Sequence, residues 1–314
     1  MQKVVRIGGG SSGYTLLNAL KELPIEITAI VNMFDSGGSS GVLRDELGIL
    51  PPGDIRRALA ALAEGTKGEI LRNLFNFRFQ DSGSMSGHSF GNVFLAALSS
   101  IYGSDIEGIR KASELLDVKG VVLPVSLDRS HIHAVLDDQS TIVGETNIDI
   151  PKHDGNKKIQ HVYLEPAAEI FSEAADAIRT ADIVIIGPGD LYTSIIPNFL
   201  VEGMEKAIAE SHAKFVVICN LMTKWGETND YAASDMVRVI LEYTGLKKVD
   251  YAVCNTAPMN AALVKAYEAE KKYPMVCDDK LKDYAEHVIT GGFFSEADIA
   301  RHDPYKVAEI IAHL

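Results

Sequence analysis

The sequence predicts an α/β protein with a parallel sheet that is covered by helices on both faces. Short runs such as Phe215–Cys219 are apolar at consecutive positions and alternate with helical segments, which is typical of strands buried on both faces. Glycine or asparagine follows five of the predicted strands, as expected where the carboxyl ends of a sheet form a ligand crevice. With 314 residues and 46% apolar content, the chain can build one large core.

The first hundred residues alternate strand and helix signals. Strands are predicted at Val4–Ile7 and Ile25–Val31, and helices at Tyr14–Leu23, Ile55–Ala63 and Phe90–Leu98. Pro24 is expected to end the first of these helices, because proline cannot continue a helix. Asp54, after Pro51-Pro52-Gly53, is predicted to be the N-cap of the second helix.

The middle of the chain predicts an antiparallel insertion at residues 121–165. Two β-rich runs flank the turn Asp137-Asp138-Gln139-Ser140, which is the pattern of a hairpin. Residues 151–160 are polar and are expected to form an exposed loop. We predict that this insertion belongs to a single domain spanning residues 1–314.

The α/β pattern resumes after the insertion. Strands are predicted at Asp182–Ile186, Phe215–Cys219 and Tyr251–Cys254, and helices at Asn198–Ala209, Ser234–Thr244 and Lys306–Leu314. Three strands end in asparagine, at Asn32, Asn220 and Asn255. Asparagine offers a donor and an acceptor and also tolerates turn geometry, so these residues are candidates for ligand contacts or simply begin the turns.

Charge and cysteine content exclude some classes of partner. A formal net charge of −13 repels phosphate backbones and anionic membranes, so neither nucleic acid nor membrane insertion is expected. The three cysteines Cys219, Cys254 and Cys277 show no CxxC spacing and are predicted to be free thiols in a reducing cytoplasm. No signal peptide or membrane span is expected.

The first glycine loop fits the pattern G-x-G-x-x-G between a strand and a helix. It comprises Gly8, Gly9, Gly10, Ser11, Ser12 and Gly13. Such a loop lets the helix N-terminus present free N–H groups to a phosphate, although a glycine turn that serves only packing is the alternative. A NAD site would require an acidic residue near Asn32, and the nearest carboxylate is Asp35.

A second glycine-serine loop and its neighbours extend the predicted ligand site. The candidates in this loop are Asp35, Gly37, Gly38, Ser39 and Ser40, and the third loop, after residue 186, adds Gly187, Gly189, Tyr192 and Thr193. Arg44 could hold a phosphate with its guanidinium fork, or it could pair on the surface with Asp45 or Glu46. His88 and Asn92 are predicted to share one helix face.

No metal site is predicted from the residues. His131 and His133 would lie on one side of a strand, but no carboxylate or thiol with ligand spacing completes the set. The sequence also lacks HExxH, Walker A and GxSxG motifs.

The combination of motifs resembles the gluconeogenesis factor family, the YvcK-type proteins, which is related to the CofD transferases. The segments that carry the resemblance are GGGSSG, DSGGSSGVLRDELGILPPGDIRRAL, GHSFGN, GPGDLYTSIIPNFLVEG, CNLMTKWGET and RHDP. The resemblance implies a Rossmann-like three-layer fold with a mainly parallel sheet, a cytoplasmic location and a link to cell shape and gluconeogenic growth. It also implies UDP-sugar binding, with contacts from Tyr267 and Arg301.

Two positions depart from the family pattern. The chain has Asp35-Ser36 where YvcK-type proteins usually have two aspartates, which argues against metal-dependent transfer. Asp190 stands where the family has serine, in a loop expected to receive an anion. Asp190 therefore either points away from the ligand or faces sugar hydroxyls.

Three functions follow as hypotheses. The first is a regulatory protein that binds a nucleotide-sugar such as UDP-N-acetylglucosamine and requires no cofactor. The second is a CofD-like transferase of a phosphorylated substrate, with Asp35, Asp54 and His88 as the reactive set and Mg²⁺ as its ion. The third is an NAD(P)-binding protein. No reaction is predicted, and assembly into a homo-oligomer is left open.

Overall fold

The structure is a computed structural model that describes residues 1–80, 83–295 and 299–314, with the backbone alone at residues 66–68. The strands are β1 (Gln2–Ile7), β2 (Ile25–Val31), β3 (Val121–Pro124), β4 (His131–Leu136), β5 (Thr141–Val143), β6 (Ile159–Glu165), β7 (Ile183–Ile186), β8 (Lys214–Ile218), β9 (Val249–Asn255), β10 (Ala285–Gly291), β11 (Phe294–Ser295) and β12 (Arg301–His302). The α-helices are α1 (Ser11–Leu20), α2 (Gly38–Leu47), α3 (Pro52–Leu62), α4 (Gly65–Asn76), α5 (Phe90–Tyr102), α6 (Asp105–Leu115), α7 (Glu145–Asp149), α8 (Ser172–Thr180), α9 (Met204–Ala209), α10 (Ala233–Thr244), α11 (Ala261–Glu268), α12 (Leu281–Tyr284) and α13 (Pro304–Ala312).

A seven-stranded parallel sheet forms the centre of the molecule, in the order β10-β9-β8-β7-β1-β2-β3. The chain moves from β1 toward β3 and later from β7 toward β10, in the opposite direction. Because crossover connections are right-handed, the two halves place their helices on opposite faces of the sheet. The result is a Rossmann-like three-layer sandwich, and the border between β1 and β7 is its topological switch point.

The sheet is buried on both faces, as its apolar strands predict. All four residues of β7 are fully buried, and Val4, Val5 and Ile7 of β1 are 2% exposed or less. Helix α1 packs against both α3 and α13, and helix α9 packs against both α8 and α10. Within the described part of the chain, no helix is long and apolar enough to cross a membrane.

A separate antiparallel sheet has the order β5-β4-β6. It contains the predicted hairpin, in which Ala134 pairs with Ile142. Val121–Pro124, which the sequence placed in this insertion, instead pairs with β2 at the edge of the central sheet. The reason is the apolar character of this run, which suits a buried parallel position, so the antiparallel unit begins at His131.

Several predicted helix bounds are wrong for identifiable local reasons. The helix predicted over Asn198–Ala209 is divided into a 3₁₀ turn at Ile196–Phe199 and the separate helix α9. Gly203 interrupts it with a left-handed φ of 91°. Helix α1 begins at Ser11 rather than Tyr14, so the last residues of the glycine loop are helical. Asp54 is not an N-cap, since α3 begins two residues earlier at Pro52, with Pro51 in the cap position.

Candidate functional site

Two cavities open along the carboxyl edge of the central sheet, on either side of the switch point. The larger has a volume of about 430 Å³ and the smaller about 220 Å³. The larger is lined by Gly10, Ser11, Asn32, Asp35, Gly37, Gly38, Ser39, Ser40, Gly53, Asp54, Arg56, Arg57, Arg78, Asn92, Glu145, Thr146, Asp149, Ile150, Asp190, Thr193 and Ser194. The smaller is lined by Ser12, Pro188, Gly189, Asp190, Asn220, Leu221, Met222, Thr223, Lys224, Tyr267, Lys272, Ala300 and His302.

Helix N-termini form one wall of the larger cavity. Gly10 and Ser11 lie at the start of α1, and the loop from Gly37 to Ser40 begins α2. Neither helix has a side chain that caps its first N–H groups, and neither has an acidic residue in its first turn. Uncapped N–H groups and the positive end of the helix dipole favour an anion in this position.

The first glycine loop rests on the buried guanidinium of Arg6. Its Nη1 donates to the Gly8 carbonyl at 2.7 Å and its Nη2 to the Gly9 carbonyl at 2.9 Å. The same group reaches the third loop through the carbonyls of Gly187, at 3.3 Å, and Pro188, at 3.0 Å. Arg6 therefore joins the two loops from below.

The predicted ligand residues of the first loop divide into two groups. Gly10 and Ser11 line the larger cavity and Ser12 lines the smaller one. Gly8 and Gly9 instead donate their N–H groups to the carbonyls of Ile30 and Ser194, at 3.1 and 3.0 Å. Gly13 packs directly on Arg6 and leaves no room for a side chain, since an added Cβ would lie 1.7 Å from Arg6 Nη2. These three glycines shape the loop rather than the cavity surface.

Side-chain hydrogen bonds hold the second loop. Asp35 Oδ1 accepts from the Gly37 N–H at 2.8 Å. His88 Nδ1 lies 3.0 Å from Ser39 Oγ, and Asn92 Nδ2 donates to the same hydroxyl at 3.1 Å. The predicted shared helix face of His88 and Asn92 is wrong, because Ser89 caps α5 and His88 precedes the helix. Both residues still converge on Ser39, and Asn92 alone of the two lines the cavity.

Arg44 is not part of the cavity wall. Its Nε donates to Asp45 Oδ1 at 2.8 Å and its Nη1 to the Asp35 carbonyl at 3.2 Å. The positive charge of the larger cavity comes instead from Arg56, Arg57 and Arg78. Arg57 directly follows Arg56 after the Pro-Pro-Gly-Asp turn, which was a usable sequence signal. Arg78 lies outside every motif of the sequence.

A carboxylate wall faces these arginines, and sequence reasoning missed most of it. Glu145 and Asp149 come from the short helix α7, which follows β5 directly. Burial and the charges of Asp35 and Asp149 raise the pKa of Glu145 to about 8. Burial, together with Asp35, raises the pKa of Asp54 to about 6 in spite of Arg57 at 3.7 Å. The cavity therefore joins two uncapped helix N-termini and three arginines to a set of carboxyl groups, and of these Glu145 keeps its proton near pH 7.

The three strand-end asparagines use their amides to hold loops. Asn32 donates to the Thr193 carbonyl at 3.0 Å and accepts from Phe34 N–H at 3.2 Å. Asn220 makes both of its bonds to the backbone of Gly189, at 2.8 and 3.3 Å. Asn255 donates to the Ala257 carbonyl at 2.9 Å and accepts from the Phe293 N–H at 2.8 Å. Asn32 and Asn220 line a cavity, and Asn255 does not line either one.

The third loop contributes to both cavities. Gly187 adopts a left-handed φ of 83°, Gly189 lines the smaller cavity, and Thr193 lines the larger one. Thr193 Oγ1 donates to Glu227 at 3.1 Å. The Tyr192 hydroxyl is turned away, to the Tyr231 hydroxyl at 3.0 Å.

Residues from the last third of the chain close the smaller cavity. The Tyr267 hydroxyl accepts from the Ala300 N–H at 3.1 Å and lines the cavity. Arg301 lies next in β12 and does not line it, whereas its neighbour His302 does. Burial lowers the pKa of His302 to about 4, so its ring is neutral near pH 7. His302 Nε2 lies 3.0 Å from the Cys219 carbonyl.

Comparisons with known proteins identify the family and the fold of the chain. Residues 4–293 match the family model described as 2-phospho-L-lactate transferase CofD. The chain is 42% identical to the gluconeogenesis factor of Halalkalibacterium halodurans, over 99% of this chain and 95% of that protein. It is 39% identical to the gluconeogenesis factor of Bacillus subtilis, over 99% and 98%.

A solved structure extends the comparison to the fold. A crystal structure of a Bacillus halodurans protein superposes with a TM-score of 0.94 at 42% identity, covering 99% of both chains. Family model, relatives and solved structure thus agree over nearly the whole length. The chain belongs to the CofD family and, within it, to the gluconeogenesis factors of the YvcK type.

Proposed function

We propose that this chain is a regulatory protein that binds a nucleotide-sugar, of which UDP-N-acetylglucosamine is the model. The observation that carries the proposal is the position of the α1 N-terminus at the border of the two cavities. Gly10 and Ser11 lie on one side of this border and Ser12 on the other. A diphosphate at the uncapped helix start would place its nucleoside in one cavity and its sugar in the other.

The chemistry of the walls supports this orientation. The smaller cavity carries Tyr267 and a neutral His302, which suit a nucleobase and ribose. The larger cavity carries arginines for phosphate and carboxyl groups that can accept hydrogen bonds from sugar hydroxyls. The Asn92 Oδ1 atom is buried without a partner among the described residues, so it is available to a ligand hydroxyl or amide.

Family membership links the function to gluconeogenesis, since the curated relatives are gluconeogenesis factors. We extend the proposal to growth on gluconeogenic carbon, cell-wall metabolism and cell shape, with a small-molecule ligand and no required cofactor. The three cysteines are free thiols, which supports a reducing, cytoplasmic setting. Homo-oligomer formation stays a prediction.

Calorimetric titration tests the proposal directly. We expect UDP-N-acetylglucosamine to bind with a dissociation constant in the micromolar range, UDP more weakly, and NAD and GTP without measurable heat. Ser11→Glu should abolish binding, because it puts a negative charge where the diphosphate would lie. Ala97→Glu is the matched control, since Ala97 is exposed on α5 outside both cavities. If UDP-N-acetylglucosamine and UDP both give no binding heat, the proposal is refuted.

A CofD-like transferase is the second candidate, favoured by the presence of Asp35 and Asp54 in one cavity. These carboxylates do not join a third one within ligand distance among the described residues. A Mg²⁺ ion held by the two would thus need oxygens from the substrate's phosphate, as is common for Mg²⁺. If product analysis after incubation with phosphorylated substrates is the same with Mg²⁺ and with EDTA, this candidate fails.

A further inference from the structure

Three carboxylates and one lysine form a compact cluster between the two cavities. The carboxylate oxygens of Asp149, Asp190 and Glu227 lie within 4.8 Å of one another. Lys224 Nζ contacts all three, with Asp190 Oδ2 at 2.7 Å, Glu227 Oε1 at 3.0 Å and a contact to Asp149 Oδ1. The ammonium group donates hydrogen bonds to Asp149 and Asp190 and forms an ion pair with Glu227.

The cluster joins three segments that are distant in sequence. Asp149 ends α7, Asp190 belongs to the loop after β7, and Lys224 and Glu227 follow β8. Glu227 also accepts from the Tyr192 N–H at 3.0 Å and from Thr193 Oγ1 at 3.1 Å. Asp149 lines the larger cavity, Lys224 the smaller one and Asp190 both. The cluster is thus the partition between the cavities.

Three carboxylates at this spacing resemble a site for a hard divalent cation, which takes oxygen ligands. Here the lysine ammonium already lies among them. Burial alone would lower the pKa of Lys224, but the charges of Glu227, Asp190 and Asp149 together raise it above its ordinary value. Lys224 is therefore charged near neutral pH.

We propose that Lys224 is a built-in cation, which replaces a divalent metal ion among Asp149, Asp190 and Glu227 and so allows a phosphorylated ligand to bind beside these carboxylates without metal. The replacement rests on geometry alone, and its consequence for ligand binding rests on the proposed nucleotide-sugar function. Because the charge of Lys224 neutralises the carboxylate of Asp190, this residue can lie in a loop next to an anion site. A merely structural ion pair would leave metal binding unchanged when Lys224 is lost.

The decisive experiment measures Mn²⁺ alone, by electron paramagnetic resonance of the free ion. Lys224→Met keeps the length of the side chain and removes its charge, so it should bind one more Mn²⁺ per chain than the wild type. Lys224→Arg, which keeps the cation, should match the wild type. Adding Asp190→Asn to Lys224→Met should abolish the extra site. A folded Lys224→Met protein without an additional Mn²⁺ would overturn the proposal.

Trp225 gives a local second readout, because it is the only tryptophan of the chain and adjoins Lys224. Its ring packs on Gly155 and lies 4.0 Å below Lys271 Nζ. Mn²⁺ bound in the cluster should quench its fluorescence in Lys224→Met and leave the wild type unchanged. If Lys224→Met does not fold in EDTA, Mn²⁺ should restore its circular dichroism, and failure to do so counts against the proposal.

The consequence for ligand binding is measured with UDP-N-acetylglucosamine. Wild-type affinity should be equal in EDTA and in Mn²⁺, whereas Lys224→Met should lose at least tenfold in EDTA and regain it in Mn²⁺. Wild-type affinity that depends on Mn²⁺ would contradict the proposal. If the wild type does not bind this probe at all, the nucleotide-sugar function fails, while the Mn²⁺ count still decides the role of Lys224.

Discussion

The two glycine-serine loops have nearly the same composition but are held by different forces. The first, Gly8–Gly13, rests on one buried charge, since four carbonyl groups of this and the third loop accept from Arg6. The second, Asp35–Gly41, rests on several separate hydrogen bonds, among them Ser36 with Thr146 at 3.1 Å and Ser39 with His88 at 3.0 Å. The same residue types thus serve an electrostatic support in one loop and a hydroxyl network in the other.

The glycines of the two loops also differ in whether packing or backbone conformation excludes a side chain. In the first loop, Gly9 and Gly13 leave room for charged groups, because a Cβ would lie 2.2 Å from Asp54 Oδ2 and 1.7 Å from Arg6 Nη2. In the second loop, Gly38 has a φ of 46°, and a Cβ at this residue would have no neighbouring atom within 4 Å. Packing therefore requires glycine at Gly9 and Gly13, whereas backbone conformation alone requires it at Gly38. Gly41, at the end of the second loop, resembles the first pair, since a Cβ there would lie 2.2 Å from the Ser36 carbonyl oxygen.

The largest expected effect separates these two requirements. Gly13→Ala forces a methyl group onto a guanidinium that is fixed by four carbonyl groups, so we expect it to lower the free energy of unfolding by about 3 kcal/mol or more. Gly38→Ala should cost only about 1 kcal/mol, the penalty of a left-handed alanine. Urea unfolding followed by circular dichroism measures both. Equal losses would show that Arg6 does not hold the first loop as described.

Arg6 also shows where the sequence could not predict the site. Five strands of the central sheet and the edge that carries the loops follow from local apolar runs and glycine patterns. The sequence placed β3 in the insertion, and it did not predict β10. Arg6 occupies a strand that reads as apolar, and nothing local indicates that its side chain crosses beneath two loops. Its role depends on Gly187 and Pro188, which lie about 180 residues away.

The residues that line the larger cavity were likewise predictable only where they belong to a local sequence motif. Ser39, Ser40 and Asn92 were predictable, because each stands in a glycine-rich motif. Arg78 and Glu145 were not, since the antiparallel sheet and the chain after α4 bring them to the edge only in three dimensions. For Arg44 the sequence left two roles open, a phosphate contact or a pair with Asp45 or Glu46, and the structure shows the pair with Asp45.

The free energy of unfolding should also depend on pH, through one carboxyl group beside each loop. Below the first loop, Asp54 keeps its proton to about pH 6 in the folded state but ionises near 3.8 when unfolded. Its contribution to stability is therefore lost as pH rises from about 4 to 6, by up to about 3 kcal/mol for a shift of about two units. Asp54→Asn should remove this slope in urea unfolding measured across the window.

Beside the second loop, the corresponding group is Glu145, whose pKa is raised to about 8 in the folded state. Its contribution to stability is therefore lost as the pH rises from about 4.5 to 8. Glu145→Gln should flatten the stability profile between about pH 6 and 8, where Glu145 alone of the two contributes. Between about pH 4.5 and 6 both carboxyl groups contribute, so each variant should remove only its own part of the slope there. If Asp54→Asn changes the neutral window as well, the two carboxyl groups titrate as one unit, and the loops are not electrostatically separate.

The smallest effects test which arginine serves the ligand. Arg57→Ala removes a cation from the wall of the larger cavity, and the affinity for UDP-N-acetylglucosamine should fall about tenfold, as for one charge-assisted hydrogen bond. Arg44→Ala should change this affinity less than twofold, because the Arg44 guanidinium is bound to Asp45 and to the Asp35 carbonyl on the outer side of the second loop. Its cost should appear as a loss of about 1 kcal/mol in stability, since the side chain of Arg44 is 10% exposed. Calorimetry and urea unfolding of both variants separate the two quantities. If Arg44→Ala instead loses affinity tenfold and Arg57→Ala loses none, the ligand phosphate binds beside Arg44 on the outer side of the second loop. The first loop would then have no direct role in binding.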